Sequence, residues 1–587
     1  MQTPKRIFDL LAHQQLNYPT LPMFSFKKDE QWEGITAVDL QKEIDKVSLA
    51  LLKLGVQKGE KVGIVSENRI EWNIFDFAIQ QIGAVVVAVY PNISENDYTY
   101  IFNHAEIRFC FVSTDLLYHK VASIVENVPS LKKLYTFNSY DFIPHYKEIL
   151  PIVSQIDIDK LQSLKESITA NDIATLIYTS GTTGNPKGVM LTHKNLLADM
   201  YSSEYSFPVK AYQRALTFLP VCHAYERLFH YVYFYKGVTV YFATSIETIG
   251  EDMKTVKPHI FSAVPRVLEK VYDKIMATGN QLTGVKKQLF FWAIRIGEQF
   301  EFDNKNIFYK LQLALARKLI FSKWREALGG EVGAIASGSA TLQKKLIKVY
   351  WAAGIPIYEG YGLTEAGPCL SVNCYKRGLK MGTVGLPLIN IDIKLADDGE
   401  ILAKGDNIML GYYKDEKATS EVIKDGWLHT GDIGEWVGGK FLKIIDRKKE
   451  MFKTSGGKYI VPQQIEKILV EHPFIEQAMV IGENQKFPAA FIVPNYSNIL
   501  EWTKQNLPKS VNLTKEKLFE QIEIVQLFNQ IVKDINQQFG NFEQIKKISL
   551  LSNEFTVETG ELTPTLKMKR KFILQKFSKQ YDEIFGL

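Results

Sequence analysis

Short runs of β-branched residues, separated by helical stretches, constrain the fold of this chain more than any other feature. Residues 61–65 (Lys-Val-Gly-Ile-Val) and 85–89 (Val-Val-Val-Ala-Val) are apolar without alternation, and a helical pattern from Trp72 to Ile82 lies between them. Strands buried on both faces and joined by a crossover helix are typical of a parallel sheet covered by helices. The pattern returns at 107–112, 175–178, 238–242 and 260–263. The first two thirds of the chain are therefore predicted to be α/β.

The length and composition set the number of domains and exclude some classes of protein. The chain has 587 residues, enough for several domains, and its 46% hydrophobic and 23% charged residues are the balance of an ordinary globular protein. A formal net charge of +5 is too small over this length for a protein that coats nucleic acid. Four scattered cysteines, Cys110, Cys222, Cys369 and Cys374, argue against a disulfide framework and indicate a reducing compartment.

The N-terminus and the hydropathy of the chain predict a cytoplasmic protein. Residues 1–13 have a short amphipathic pattern but no apolar run of signal-peptide length. The most hydrophobic stretch, residues 82–90, has nine residues, whereas a membrane-spanning helix needs about twenty. We therefore expect no membrane span and no nucleic-acid partner, and the sequence leaves the oligomeric state open.

Residues 270–329 differ from the rest of the chain because they are helical in pattern, aromatic and basic. Residues 285–325 contain nine cations and three anions, a net charge of +6, so the remainder of the chain is near −1. We interpret this basic insertion, at about 270–330, as surface helices with a solvated basic face. The alternative is contact with anionic lipid head groups, on the inner face of a membrane, or with a phosphate-bearing cosubstrate.

A second, smaller domain is predicted toward the C-terminus. After Ile389, alternating segments at 391–395 and 401–404 indicate a small antiparallel or barrel layer, which ends at Asp446. Beyond it, a helix at 461–470, strands at 478–482 and 489–493, and a long polar helical region at 515–538 indicate a compact α+β domain. We expect an N-terminal domain over 1–445 and a C-terminal domain over 446–587.

The strongest local signal for chemistry is residues 177–188 (Ile-Tyr-Thr-Ser-Gly-Thr-Thr-Gly-Asn-Pro-Lys-Gly), directly after a buried strand. Glycines allow the backbone to approach a phosphate, N–H and hydroxyl groups donate to its oxygens, and Lys187 adds a mobile positive charge. The run is not a Walker A loop, because Lys187 is followed by Gly188 and not by Ser or Thr. The candidate phosphate ligands are Thr179, Ser180, Gly181, Thr182, Thr183, Gly184 and Lys187.

A second cluster, residues 358–365 (Tyr-Glu-Gly-Tyr-Gly-Leu-Thr-Glu), also follows a buried strand. Glu365 can hold a Mg²⁺ ion that neutralises triphosphate charge, Thr364 can contact the α-phosphate, and Tyr361 offers a flat face for a purine.

A third cluster, residues 426–432 (Gly-Trp-Leu-His-Thr-Gly-Asp), is followed by Asp446-Arg447. The carboxylate of Asp432 can accept hydrogen bonds from both hydroxyls of a ribose, and Arg447 is placed to reinforce that contact.

These clusters, in this order, resemble the adenylate-forming (AMP-binding) superfamily of acyl-CoA synthetases, adenylation domains and beetle luciferases. Residues 219–227, 264–274 and 561–570 are similar to its long-chain fatty acid CoA ligase branch, in which Thr565-Leu-Lys567 replaces the Ser-Gly-Lys of most members. The resemblance implies an AMP-forming acid–thiol ligase with a mobile C-terminal domain. It would convert a fatty acid and ATP, with Mg²⁺, into acyl-AMP and pyrophosphate, and then transfer the acyl group to CoA.

The resemblance also implies roles for single residues. Lys567 is expected to act in adenylation, Lys449 to be the hinge, and Lys453 to serve the thioester step beside the turn Gly456-Gly457. The other expected catalytic residues are Thr364, Glu365 and Lys187. The expected ATP and AMP site consists of Thr179, Ser180, Gly181, Thr182, Thr183, Gly184, Lys187, Ser337, Gly338, Ser339, Glu359, Gly360, Tyr361, Gly362, Thr364, Asp432, Arg447 and Lys567.

The acyl side is expected at His223, which in the relatives borders the acyl carboxylate, and at Gly338 and Gly360, which leave space for an alkyl chain. We interpret Glu226 and Arg227 as a structural ion pair near this pocket. His223 next to Cys222 is not interpreted as a metal site, because neither residue has a second ligand at a suitable spacing.

Other activities remain open from the sequence. The main alternative is a fatty acyl-AMP ligase that loads a carrier protein instead of CoA. A luciferase-like oxygenase and an inactive nucleotide sensor are further alternatives.

Overall fold

The computed structural model describes residues 3–179, 185–245, 247–303, 306–563 and 567–587. It contains two compact units. The N-terminal unit consists of Met1–Lys394, Leu402–Thr430 and Trp436–Lys443, and the C-terminal unit of Leu395–Ile401, Gly431–Glu435 and Ile444–Leu587. The predicted α/β class with a large and a small part is confirmed, and the domain boundary near 446 stays a prediction.

The strands are short, as the apolar runs of the sequence predict. In chain order they are β1 (Pro22–Lys28), β2 (Gln31–Thr36), β3 (Lys61–Val65), β4 (Val85–Val89), β5 (Phe109–Val112), β6 (Lys133–Thr136), β7 (Ile173–Thr179), β8 (Lys187–Thr192), β9 (Arg214–Thr217), β10 (Thr239–Phe242), β11 (Ile260–Ala263), β12 (Ala334–Ser337), β13 (Ile357–Gly362), β14 (Cys369–Val372), β15 (Leu386–Pro387), β16 (Ile391–Leu395), β17 (Glu400–Gly405), β18 (Gly411–Tyr412), β19 (Ile423–Lys424), β20 (Trp427–Val437), β21 (Phe441–Arg447), β22 (Phe452–Lys453), β23 (Tyr459–Ile460), β24 (Ile475–Ile481), β25 (Ala489–Pro494) and β26 (Lys547–Leu550).

The helices connect and cover these strands. They are α1 (Asp9–Asn17), α2 (Ala37–Lys53), α3 (Ile70–Gln81), α4 (Glu95–Ala105), α5 (Asp115–Ala122), α6 (Gln155–Glu166), α7 (His193–Ser206), α8 (Ala224–Lys236), α9 (Ile249–Val256), α10 (Pro265–Gln281), α11 (Gly284–Glu298), α12 (Ile307–Ala316), α13 (Ser322–Ala327), α14 (Lys344–Ala353), α15 (Glu416–Val422), α16 (Pro462–Leu469), α17 (Tyr496–Asn506), α18 (Lys515–Phe519), α19 (Ile522–Asn536), α20 (Arg570–Lys576) and α21 (Ser578–Phe585).

Two large sheets form the N-terminal unit. The first has the order β18-β8-β7-β4-β3-β5-β6, with a parallel core from β7 to β6 and two antiparallel strands, β8 and β18, at one edge. The second has the order β15-β14-β13-β12-β11-β9-β10-β1-β2 and is parallel from β13 to β1. Helix α3 is buried over Trp72–Gln81. The crossover helix predicted from the sequence is therefore α3, and it is buried on all of its faces.

The C-terminal unit has its own sheet, in which β24 and β25 are antiparallel and β26 is parallel to β25. The predicted helical region 515–538 is two helices, α18 and α19, and not one. Leu518 and Phe519 are buried in α18, and Ile524 and Ile531 in α19. Because a helix turns about 100° per residue, one straight helix would point these two apolar pairs in nearly opposite directions. The break at 520–521 allows both pairs to enter one core.

The basic insertion is helical, as predicted. Helix α11 is followed by a long helix in which α12 continues through a π-helical turn at Arg317–Phe321 into α13. The inner side of this long helix carries Tyr309, Leu313 and Phe321, which belong to a buried apolar cluster. No helix in the described part of the chain is both long and apolar enough to cross a membrane.

Candidate active site

The predicted phosphate loop connects the two strands of an antiparallel hairpin. In this hairpin Thr179, at the end of β7, lies opposite Lys187, at the start of β8. The predicted ligands Ser180, Gly181, Thr182, Thr183 and Gly184 lie outside the described residues. The hairpin register holds Thr179 and Lys187 at the two ends of this loop, where both can reach a phosphate bound by it.

The carboxyl ends of β12 and β13 bring a second set of predicted residues together. Ser337 lies opposite Glu359 in the parallel register of these strands. Gly338 and Ser339 follow Ser337, and Ser339 has a left-handed backbone with φ 69°. Ligands of open α/β sheets bind outside the carboxyl ends of parallel strands, so the position suits a bound nucleotide or substrate.

The strand β13 continues through Gly360 and Tyr361 to Gly362, where glycine is required by packing. A Cβ atom at Gly362 would lie 1.9 Å from the carbonyl oxygen of Pro368. The close approach holds the following turn, Thr364–Ala366, against the chain segment before β14. Thr364 and Glu365 are therefore fixed by backbone packing on one side.

Tyr412 links two of the predicted catalytic residues. Its hydroxyl donates a hydrogen bond of 2.8 Å to Oε1 of Glu365, and its ring lies 4.8 Å from Nζ of Lys187. The strand β18, which carries Tyr412, pairs with β8, which begins at Lys187. Burial raises the pKa of the Tyr412 hydroxyl, and the nearby charge of Glu365 raises it further. Tyr412 is therefore protonated at neutral pH and acts as a donor.

Glu365 fits the kind of magnesium site that a nucleotide enzyme needs. Among the residues that the structure describes, no group of three or more His, Cys, Asp or Glu side chains could hold a metal ion by itself. Mg²⁺ in nucleotide sites is held by one or two carboxylates together with substrate phosphates, so a lone half-buried carboxylate is a suitable donor set.

Near Gly338, a residue of the predicted acyl side, two buried hydroxyls have no hydrogen-bond partner among the residues that the structure describes. They belong to Ser337 and Tyr225. Gly338 follows Ser337 in the chain and packs on the Tyr225 ring, since a Cβ atom there would be 3.0 Å from that ring. Buried hydroxyls are normally paired, so unpaired ones at a strand end point to a ligand or a water molecule. His223 caps α8, and its Nδ1 accepts a hydrogen bond of 3.1 Å from the backbone N–H of Tyr225.

The predicted ion pair between Glu226 and Arg227 is wrong. Arg227 pairs instead with the buried Asp76, and it donates to Thr175 Oγ1 at 2.8 Å. Glu226 accepts hydrogen bonds from the hydroxyls of Thr217 and Ser262. Adjacent residues on a helix do not face each other, so these two side chains leave α8 in different directions.

The environment of Glu226 is unusual for a carboxyl group. Burial raises its pKa to about 7, and the hydrogen bonds from Ser262 and Thr217 only partly offset that effect. His230 lies 3.9 Å away, but burial lowers its pKa to about 3, so at neutral pH it carries no compensating charge.

In the C-terminal unit, the two residues predicted to hold the ribose form an ion pair. Nε of Arg447 lies 3.3 Å from Oδ1 of Asp432, which is buried. The backbone N–H of Lys448 donates to the carbonyl of Gly431, and its ammonium contacts Asp398 and Glu400. The adjacent Lys449, the predicted hinge, is exposed in a turn.

The remaining predicted residues of the C-terminal unit are exposed or lie in turns. Nζ of Lys453 lies 4.6 Å from the ring centroid of Tyr459, across the hairpin of β22 and β23. Gly456 and Gly457 form the turn of this hairpin, and Gly457 has φ 74°. Lys567 is exposed, and its backbone N–H donates to Thr563 Oγ1 at 3.0 Å while its carbonyl accepts from the Thr563 N–H at 2.8 Å.

Sequence reasoning missed Tyr412, Tyr225 and Asp76 as neighbours of the predicted residues. Tyr412 is 47 positions from Glu365, and no local pattern joins the two. The segment 411–413 (Gly-Tyr-Tyr) had one usable signal, an aromatic pair directly after an apolar run.

Comparisons with known proteins identify the family of the chain. A family model described as "AMP-binding enzyme" matches residues 11–413, and one described as "AMP-binding enzyme C-terminal domain" matches residues 450–586. The long-chain-fatty-acid–CoA ligase FadD15 of Mycobacterium bovis is 34% identical over 569 residues, which cover 95% of this chain and 93% of that protein. The long-chain-fatty-acid–CoA ligase 1 of Cavia porcellus is 33% identical, with 96% and 84% covered.

Solved structures share the fold. The adenylation domain of a carboxylate reductase from Mycobacterium chelonae has a TM-score of 0.75 at 19% identity, and the match covers 100% of this chain and 92% of that one. The O-succinylbenzoate CoA synthetase of Bacillus subtilis, solved with ATP and a magnesium ion, has a TM-score of 0.65 at 19% identity, with 96% and 98% covered. At such identities the likeness concerns the fold alone.

Proposed function

This chain belongs to the family of AMP-binding enzymes, and from that membership we propose that it is an AMP-forming long-chain fatty acid CoA ligase. The observation that carries the proposal is the 34% identity to a long-chain-fatty-acid–CoA ligase over 95% of the chain. The substrates are a long-chain fatty acid, ATP and CoA, and the products are acyl-CoA, AMP and pyrophosphate.

The reaction has two steps because a carboxylate is a poor electrophile. In the first, a carboxylate oxygen bonds to the α-phosphorus of ATP, the bond from that phosphorus to the bridging oxygen of the β-phosphate breaks, and pyrophosphate leaves with the electron pair. In the second, the CoA sulfur bonds to the acyl carbon, the bond from that carbon to the AMP oxygen breaks, and the thiol proton is released. Both steps move negative charge, so positioned cations and hydrogen-bond donors lower their barriers.

Lys187 and Thr179 supply such groups at the ends of the phosphate loop. The ring of Tyr412 faces the Lys187 ammonium, and its hydroxyl orients the carboxylate of Glu365. When bound, Mg²⁺ shields the triphosphate charge. Glu365 would hold that ion together with the phosphates, and Thr364 would donate to the α-phosphate.

We assign the nucleoside to residues whose groups suit a purine and a ribose. The adenine is assigned to Tyr361, Ser337 and Ser339. Gly360 and Gly362 lie beside them in the chain, and the backbone around Glu359 forms the rest of this part of the site. Asp432 accepts from the ribose hydroxyls, and its ion pair with Arg447 fixes the carboxylate orientation.

The acyl chain is proposed to pass Gly338, which packs against the Tyr225 ring so closely that a Cβ atom would lie 3.0 Å from it. The Tyr225 hydroxyl, which has no hydrogen-bond partner among the described residues, supports this position, because a bound ligand or its water can satisfy it. His223, whose Nδ1 is occupied as an acceptor, carries its proton on Nε2 when neutral.

The C-terminal residues are proposed to divide the two half-reactions between them. Lys567 acts in adenylation, and Lys453 with Gly456 and Gly457 serves thioester formation. Lys449 is the proposed hinge of a mobile domain that begins near Asp446 and extends to Leu587. The exposure of Lys449, Lys453 and Lys567 supports these roles, since none of the three side chains is packed into the core of its unit.

Peripheral contact with an anionic membrane on its cytoplasmic side belongs to the proposal. It is supported by the net charge of +6 over residues 285–325. Cations on amphipathic helices are attracted to anionic lipid head groups, and a long-chain fatty acid partitions into the same phase.

The test is a panel of carboxylic acids of increasing length, incubated with ATP, Mg²⁺ and CoA, with AMP and acyl-CoA measured together. We expect acyl-CoA from long-chain acids only when CoA is present, and AMP in equal amount. Acyl-AMP formation without acyl transfer to CoA, but with transfer to an acyl carrier protein, would instead identify a carrier-loading acyl-AMP ligase.

A further inference from the structure

One helix of the basic insertion is apolar on its outer side. Ile307, Phe308, Leu311, Leu315 and Leu319 lie on α12 and the π-helical turn, and their exposed fractions range from 41% to 75%. We call the line formed by Phe308, Leu311, Leu315 and Leu319 the apolar stripe. Its spacing of three to four residues places all four side chains along one face of the helix.

The inner side of the same helix is already satisfied by packing. Tyr309, Leu313 and Ala316 are buried, and the Tyr309 hydroxyl donates to the carbonyl of Ile296 at 3.2 Å. The fold therefore uses one face of this helix and leaves the stripe in water. A helix that is apolar on all sides is found in a protein core or against lipid, and a contiguous exposed apolar face marks an interaction surface.

The charges next to the stripe identify the partner. Lys318 is exposed at the edge of the stripe, and Lys310 is exposed on the same helix but farther around its axis. Residues 285–325 contain three carboxylates, and two of them form ion pairs with lysines outside this segment. Glu298 pairs with Lys345 at 3.0 Å and Glu301 with Lys348 at 2.6 Å. An apolar line with a lysine at its edge, in a segment with a net charge of +6, matches the boundary between acyl chains and anionic head groups. A second copy would bring equal positive charges together, which disfavours self-association.

We propose that the apolar stripe inserts into the surface of an anionic bilayer, with Lys318 on the lipid phosphates. The contact is therefore hydrophobic as well as electrostatic, and the helix lies in the plane of the membrane. The inference rests on the proposed function in one respect. A long-chain fatty acid ligase bound at this surface gains access to a fatty acid dissolved in the bilayer.

The experiment measures binding of the full chain to vesicles of phosphatidylcholine with and without phosphatidylserine, at low and at high ionic strength. The test variant is Leu311→Ser with Leu315→Ser. The matched control is Leu116→Ser with Ile522→Ser, because those side chains are also highly exposed, at 77% and 71%, and lie on other helices. A third variant, Lys310→Gln with Lys318→Gln, tests the charges.

We expect the wild-type chain to bind anionic vesicles and to keep a measurable part of that binding at high salt. The stripe variant should lose about tenfold or more of its partition at both salt concentrations, the control should bind as the wild type does, and the lysine variant should lose only the salt-sensitive part. Wild-type binding that disappears at high salt, or equal binding by the stripe variant, would overturn the proposal.

Two further measurements separate this outcome from other failures. The stripe variant should make acyl-CoA from a water-soluble shorter acid at the wild-type rate, so loss of that activity would point to the enzyme and not to the membrane surface. The sedimentation of the wild type without lipid tests self-association. A dimer that the stripe substitutions dissociate would assign the stripe to a second copy and overturn the lipid contact.

Discussion

Replacing Tyr412 with phenylalanine removes one hydrogen bond from the candidate site and leaves the rest of the residue in place. The hydroxyl donates to Oε1 of Glu365 at 2.8 Å, while the ring faces Lys187 at 4.8 Å. Phenylalanine keeps the ring and its contact with the ammonium. The substitution therefore isolates the orientation of the Glu365 carboxylate from the position of the lysine.

The magnitude follows from the kind of bond that is lost. A hydrogen bond to a charged group contributes about 1.5 to 3 kcal/mol when no other donor replaces it. Glu365 is only half-buried, so water can replace part of the bond, and ~1 to 2 kcal/mol is the reasonable range. Since about 1.4 kcal/mol is a factor of ten, we expect the first half-reaction to slow by about five- to thirtyfold.

The assay is ATP–pyrophosphate exchange with a long-chain acid, measured over a series of Mg²⁺ concentrations. A carboxylate that has lost its orienting donor should need more Mg²⁺ for half-maximal exchange, so the loss should be larger at low Mg²⁺. Tyr413→Phe is the matched control. Its ring faces Lys61 at 4.7 Å and stacks edge-on against His104, and exchange by this variant should be unchanged.

Two results would refute the reasoning. An unchanged Mg²⁺ requirement and rate in Tyr412→Phe would mean that the hydrogen bond does not position Glu365 for the reaction. An equal loss in Tyr413→Phe would mean that the effect comes from general damage to the edge of the sheet.

Further predictions concern the buried carboxyl group, the adenylation lysine and the acyl path. The pKa of Glu226 is raised from an ordinary 4.5 to about 7, so the folded state holds this proton more tightly than the unfolded state. The free energy of unfolding therefore falls as the pH rises from about 4.5 to 7, by ~3 kcal/mol at most. Glu226→Gln should flatten this part of the pH dependence of chemical denaturation, and an identical slope in both proteins would contradict the assignment. Lys567→Ala should abolish ATP–pyrophosphate exchange but leave CoA attack on preformed acyl-AMP, whereas Lys571→Ala should change neither; equal loss of both half-reactions would reject the role of Lys567. Gly338→Trp should shift the preferred substrate toward shorter acids in the acid panel, because even a Cβ atom lies 3.0 Å from the Tyr225 ring, and an unchanged length profile would place the acyl chain elsewhere.

Much of the fold could be predicted from the sequence because its signals are local. The runs at 61–65 and 85–89 are the parallel neighbours β3 and β4, and their apolar side chains are almost entirely buried. The helix break at 520–521 was not visible in the same way. It depends on which side of each helix meets the core, and polar residues on both sides of the break give a continuous helical pattern.

In the candidate site, too, local features could be predicted and contacts between distant segments could not. Motifs that carry their chemistry within a few residues, such as 177–188 and 358–365, could be recognised directly. The contacts of Tyr412 and of Arg227 could not, because each depends on strand pairing or helix packing between distant segments. The strand β18 has only two residues, which is too short for any periodic signal. The adjacent opposite charges at 226–227 were misleading for the opposite reason, since nearness in sequence is not nearness on a helix surface.

The π-helical turn at Arg317–Phe321 has a consequence for how this helix can vary in length. The buried positions along the helix run 309, 313 and 316, then 321 and 324, so one interval is five residues where the others are three or four. A π-helical turn absorbs one additional residue without turning the rest of the helix away from its partners. A homologue with one residue fewer in this turn would continue as a regular helix with the same side chains inward. A deletion of one residue before this turn, near Leu311, would rotate the preceding part of the helix by about 100°. Its buried side chains would then no longer face the core, and its exposed side chains would no longer face outward. Along this helix, tolerance to insertion and deletion is therefore concentrated in a single turn.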